Sequence, residues 1–194
     1  DSRAAGGDCG ALISATMPPP GYLALVLHAH LPYVRHPEHP QFLEEDWLYE
    51  AITETYLPLL ALLEGLQRDA VPACFSLTLT PTLCHMLRDP LLCGRYEAHL
   101  DRLIDLARAE SARNRNSGPP GETAAFYVAR LEDARDAWQN RWKRDLVGAF
   151  KSFADAGFLE IITCAATHGF LPLMEIVPEA MRAQILIGRD SHRE

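Results

Sequence analysis

Three short apolar runs set the terms on which this chain can fold: Tyr22 to His28 (YLALVLH), Ala73 to Leu79 (ACFSLTL) and Phe158 to Cys164 (FLEIITC). Each has the length of a single strand, and Pro, Gly or polar residues flank it. Continuous apolar character, without alternation, is the mark of a buried strand in a parallel sheet. Helical patterns lie between them. From Trp47 onward, Trp47, Ala51, Ile52, Leu59, Leu62, Leu63 and Leu66 share one side. Pro58 cannot donate to a helix ladder, so a break is expected near Tyr56, with Pro58 opening a second piece. Further helices are expected over 82–88, over 91–110, as one long run from Thr123 to Ala156, and from about Pro178. Gly157 is placed to end the long run at the C′ position. Residues 33–46 and 114–122 read as loops. Strands alternating with helices predict an α/β fold with a parallel sheet or barrel, and three strands cannot close a barrel.

With 194 residues, one domain or little more is expected. The formal net charge is −8 and no long basic cluster is present, which argues against nucleic acid or an anionic membrane as partner. No run approaches the ~18 apolar residues of a spanning helix. Five cysteines (Cys9, Cys74, Cys84, Cys93 and Cys164) form no CxxC pair and read as scattered thiols of a reducing compartment. Residues 1–20, DSRAAGGDCGALISATMPPP, lack the basic and apolar regions of a signal peptide. They are expected to be a disordered leader, with Met17 as a candidate start and the cytoplasm as the location. The closing stretch ILIGRDSHRE carries no cap or turn cluster, as though the sequence were cut inside a larger protein.

The chemistry concentrates where the strands end. Alternation along a strand puts His28 and His30 on one face, at the carboxyl end where parallel α/β folds build their sites. His168 follows the third run in the same way, and Glu160 lies within that run. An HxH pair with a further His and an acid could bind zinc, line a sugar pocket, or simply satisfy a core. Trp47 suits either a core anchor or a stacking platform for the apolar face of a sugar ring. Glu44, Glu45 and Asp46 read as a solvated helix N-terminus. No nucleophile elbow and no glycine-rich phosphate loop is present, so nucleotide chemistry and a cofactor are not expected.

LVLHAHLPYVRHPE (25–38), followed by EEDWLYEAITETYLPLL (44–60), resembles the first conserved region of glycoside hydrolase family 57. ITCAATHGFLPLM (162–174) is similar to the second region, and IGRDSHRE to the segment just upstream of the third. The resemblance covers residues 21–194 and is closest in detail to the family's 1,4-α-glucan branching enzymes. It implies that 21–194 form the incomplete N-terminal part of a distorted (β/α)7 barrel, acting on α-glucan by a retaining mechanism. Retention needs two carboxyl groups about 5–5.5 Å apart. The resemblance places the nucleophilic Glu and the acid Asp in regions beyond Glu194, so no catalytic residue is assigned within the chain.

What carries over is a substrate-binding set: His28, His30 and His168 in a sugar subsite, and Trp47 as an aromatic near the groove. The implied activity is hexosyl transfer from an α-1,4 to an α-1,6 linkage in glycogen-type glucan metabolism, with the isolated chain inactive. Amylase or 4-α-glucanotransferase activity of the same family stands as an alternative. So does a zinc-dependent hydrolase of the deacetylase or amidohydrolase kind using the HxH pair, or a glucan-binding remnant without turnover.

Overall fold

The computed structural model describes residues 21–193. The expected leader, Met17 and Cys9 lie outside the described residues. The chain divides into two units, one built from residues up to Tyr33 with Leu60–Met86 and Val147 onward, the other from Val34–Leu59 and Leu87–Leu146.

The first unit holds the sheet. Strands β1 (Val26–Ala29), β2 (Phe75–Leu79) and β3 (Leu159–Ile162) lie in the order β1-β2-β3, all parallel. Val26 is registered with Ser76 and Ser76 with Glu160, His28 with Thr78 and Thr78 with Ile162. The period of two then divides the sheet cleanly. Ala29, Phe75, Leu77, Leu79 and Leu159 are buried on one face. The other face carries Val26, His28, Ser76, Thr78, Glu160 and Ile162. Val26 is 63% exposed there and Ile162 37%.

The first apolar run was expected to be a buried strand, and here the structure differs. Tyr22 and Leu23 are about nine-tenths exposed, and the strand begins only at Val26. The physical reason is position: β1 is an outer strand, so one edge and one face are left open among the described residues. Such an edge is a liability for an isolated sheet.

Helices connect the strands. α1 (Glu45–Ala51) and α2 (Leu57–Arg68) join through a π turn, Ile52–Tyr56, instead of the expected break. The Leu57 N–H bonds to the Ile52 carbonyl, five residues back. The wider turn lies just ahead of Pro58, whose ring would collide with the carbonyl four residues earlier in a regular helix. α3 (Pro81–Arg88) is capped by Thr80, whose side chain accepts from the Leu83 N–H at 3.3 Å. Cys84, Cys93 and Cys164 are free thiols as expected, but Cys74 at the entrance to β2 is disulfide-bonded, because proximity in space and not spacing in sequence decides pairing.

In the second unit, α4 (Pro90–Arg113) starts at Asp89, whose carboxylate accepts from Leu91 and Leu92 N–H, both at 3.0 Å, and from Arg35 Nε at 2.7 Å. α5 (Pro119–Asp136) packs antiparallel to α4, as the ion pairs Arg135–Asp101 and Arg108–Glu132 require. Pro119 and Pro120, read from sequence as loop, instead open α5 after the left-handed Gly118.

The single helix expected from Thr123 to Ala156 is interrupted. A π turn at Ala137–Arg141 is followed by Lys143 and Arg144, both left-handed, before α6 (Leu146–Asp155) begins. Two successive left-handed residues cannot propagate a right-handed helix. Gly157, at φ 81°, ends α6 as expected. After β3, a 3-10 turn (Leu171–Met174) leads to α7 (Pro178–Arg193), again in the first unit. No helix of the described residues is long and apolar enough to cross a membrane.

Candidate functional site

His28, near the end of β1, and His30, one residue beyond it, face the same side of the sheet, as the strand period requires. The loop after β3 brings His168 to them. Ring centroids of His28 and His168 are 4.7 Å apart, those of His30 and His168 4.1 Å, and those of His28 and His30 6.0 Å. The rings are tilted by 32–38° to one another. Three imidazoles separated in sequence thus form one cluster at the carboxyl end of parallel strands.

The chain builds this cluster in two ways. Thr80, fully buried, sets its hydroxyl oxygen 3.4 Å from His30 Nδ1 while also capping α3. His168 adopts φ 58°, a left-handed conformation that costs a non-glycine residue about 1–3 kcal/mol unless its surroundings impose it. Its N–H bonds the Ala165 carbonyl at 2.9 Å, closing a tight turn. Burial holds the His30 pKa below the ordinary 6.5, and the nearby His168 and His28 push in the same direction, because a second positive charge beside the first is disfavoured. A neutral imidazole has one N–H donor and one acceptor nitrogen, which suits a hydroxyl-rich ligand.

Glu160, the acid that a zinc reading calls on, is exposed in mid-strand and accepts a hydrogen bond from the Ser76 hydroxyl. Among the described residues, no group of three His, Cys, Asp or Glu side chains is disposed to hold a metal ion.

Trp47 lies on α1 in the second unit and is 49% exposed, so it is not the core anchor of its helix. Its neighbour Glu45 corrects the expectation of a solvated acidic helix start. Glu45 is buried at 1% exposure and accepts from the Tyr49 hydroxyl at 2.9 Å, the His36 N–H at 3.2 Å and the Arg95 guanidinium. Arg95 also donates to the carbonyls of His36 and His39, which ties the 36–42 segment down. A cavity of about 350 Å³ lies over this network, lined by Phe42, Asp46, His99 and Arg102 among others. The Glu45 carboxylate is therefore fully engaged by its own unit.

Sequence reasoning overlooked Thr80, Gln184 and Gly188. One signal was available: a glycine inside the helical stretch QILIGRD marks a close approach. A Cβ at Gly188 would stand 2.3 Å from the Cys164 carbonyl oxygen.

A histidine-lined rim at the carboxyl end of a parallel sheet is the setting in which α/β enzymes place a substrate site. Residues 24–194 match the model of Glycosyl hydrolase family 57, and the chain belongs to that family. It is 38% identical over 170 residues to a 1,4-alpha-glucan branching enzyme of Thermococcus kodakarensis, covering 87% of this chain and 24% of the relative. Among solved structures it is similar to the alpha-amylase AmyC of Thermotoga maritima, with TM-score 0.80 and 40% identity over 87% of this chain and 32% of that one. It is also similar to the family 57 branching enzyme of Pyrococcus horikoshii, with TM-score 0.81 and 34% identity over 89% of this chain and 32% of that one. The chain thus spans a quarter to a third of the length of these relatives.

Proposed function

We propose that this chain is the N-terminal part of an α-glucan branching enzyme, and that His28, His30 and His168 form part of its sugar-binding subsite. The observation that carries the reading is the approach of three imidazoles to within 4.1–6.0 Å at one sheet end. Imidazole ring nitrogens offer hydrogen-bonding groups that match the hydroxyls of a glucose unit. Trp47 would add a stacking face for a sugar elsewhere on the chain's surface. Branching itself needs a nucleophilic carboxylate and an acid to cut an α-1,4 link and pass the glycosyl group to a 6-hydroxyl. Glu45 and Glu160 are each held by other partners, and the pair is assigned to regions outside residues 1–194. We further infer a cytoplasmic enzyme of glycogen-type glucan metabolism, with this segment contributing to a (β/α)7 barrel.

Titrating the 15N-labelled chain with maltotetraose tests the subsite. All three imidazoles should shift together, and His168→Ala should weaken binding about tenfold, the equivalent of one good hydrogen bond. Imidazole signals that ignore the sugar would remove the reading. Stoichiometric zinc, lost in His28→Ala, would replace it with the metal-dependent hydrolase. Amylose incubated with the chain should gain no branches, and turnover would show that a carboxylate pair exists here after all.

The resemblance to an alpha-amylase, at 40% identity, supports a second reading, hydrolysis. In the longer enzyme, new reducing ends without debranching-sensitive linkages would favour it.

A further inference from the structure

We propose that Gln184, on α7, is a positioning residue that clamps the loop after β3 and so determines where His168 stands. The clamp itself rests on geometry, and its consequence for sugar binding rests on the subsite reading above. β3 ends at Ile162, and the chain then runs without regular structure to His168. A short irregular segment ending in a left-handed histidine does not hold such a conformation by itself. Three bonds from one residue supply the constraint. Gln184 Oε1 accepts the Thr167 N–H at 2.9 Å, and Nε2 donates to the Thr167 hydroxyl at 2.8 Å. The Gln184 carbonyl accepts the Ala166 N–H at 3.0 Å.

The helix is pressed against the same loop four residues later. Gly188 is buried, and its missing side chain makes room for the Cys164 carbonyl and the Ala166 amide. Gln184 and Gly188 lie one turn apart, so a single face of α7 seats Cys164 through Thr167. His168 is the next residue. Its ring lies between those of His28 and His30, nearer to each than they are to one another. A loop released from α7 would take His168 away from both.

The experiment follows the imidazole titrations of the full 194-residue chain by 15N NMR, in parallel with thermal unfolding and maltotetraose affinity. Gln184→Ala should raise the His30 pKa toward its ordinary value, since withdrawal of the His168 ring would lessen the burial that chiefly lowers it and remove the neighbouring charge that acts in the same direction. Thr167→Val, a milder change that also removes the clamp's side-chain partner, should move it the same way. The double variant should add little to Gln184→Ala alone, because the one bond that Thr167→Val removes is already lost there. Thr167→Ser keeps the hydroxyl and should titrate like the parent. Sugar affinity should fall about tenfold in the two clamp variants.

A His30 titration unchanged in both variants, with only the melting temperature lowered, would reduce Gln184 to a helix-packing residue and overturn the proposal. A shifted titration with sugar affinity intact would leave the clamp standing and overturn the subsite reading instead.

Discussion

His30 Nδ1 lies 3.4 Å from the hydroxyl oxygen of Thr80, a residue with no exposed surface that simultaneously caps α3. One hydroxyl therefore links a candidate site ring to the start of a helix. Thr80→Val keeps the shape and deletes the oxygen. It should cost about 1 kcal/mol from the lost cap, with the unfolding midpoint in urea as the measure. The His30 ring should also lose its fixed orientation, visible as broadened or shifted ring signals. Thr80→Ser should restore both. A Val variant with parental stability and an unmoved ring would show that the hydroxyl does neither job.

Stability should fall as the solution is acidified below neutrality. Protonation of His30 is disfavoured in the folded chain, first by burial and then by His168 and His28. The unfolded chain takes up that proton near pH 6.5, the folded chain only at lower pH, so acid favours unfolding. The loss begins as pH drops through about 6.5 and levels off below the folded-state value. Above about pH 6.5 this group contributes nothing. His99 acts in the same sense, since burial lowers its pKa despite the opposing charge of Asp46. Chemical unfolding between pH 8 and pH 5 should show a plateau and then a decline, shallower in His30→Gln. Equal slopes in parent and variant would rule His30 out as a source.

Glu45 is predicted to be structural. Removing its carboxylate leaves Arg95, itself 17% exposed in its side chain, without its buried partner. Breaking one half of such a pair costs about 3–5 kcal/mol. Glu45→Ala should be strongly destabilised, and Glu45→Met with Arg95→Met together should lie closer to the parent than either single change. Maltotetraose binding by the folded fraction should be unaffected. Altered sugar affinity at full stability would point to a role in the site after all.

Gly188→Ala should be costly for a different reason. The added methyl meets the Cys164 carbonyl at 2.3 Å, and that oxygen belongs to backbone, which cannot rotate aside. Overpacking of this kind costs about 1–3 kcal/mol. Exposed-site alanine replacements in a helix usually help, since glycine is the poorer helix former by about 1 kcal/mol. A more stable Gly188→Ala chain would show that α7 has room to retreat.

Much of the architecture could be read from residue order. Apolar runs of strand length between helical patterns predicted three parallel strands; β2 and β3 fall within their runs, and β1 starts late in the first run and ends one residue past it, at Ala29. Proline and glycine marked several helix ends well, as at Gly157. The misreadings share a cause. Lys143 and Arg144 carry no signal for left-handed backbone, so the interruption after α5 was invisible. Glu45 looked like any acidic residue at a helix start, and its partner Arg95 lies 50 positions further on. The run at Tyr22 looked buried because its composition reports what a strand prefers, not whether anything covers it.

The candidate site shows the same division. The alternation of strand side chains put His28 and His30 on one face, and the place of His168 after the third run, together with the similarity to a family motif, singled it out. These are matters of local geometry and residue type, carried by neighbours in the chain. How near the three rings come, which imidazole has its pKa lowered, and the hold of Thr80 and Gln184 on them depend on contacts between distant segments. His30 and Thr80 are 50 residues apart, Thr167 and Gln184 17. Hydrogen bonds across such separations exist only once packing has brought the segments together, and nothing in the composition of either partner announces the other.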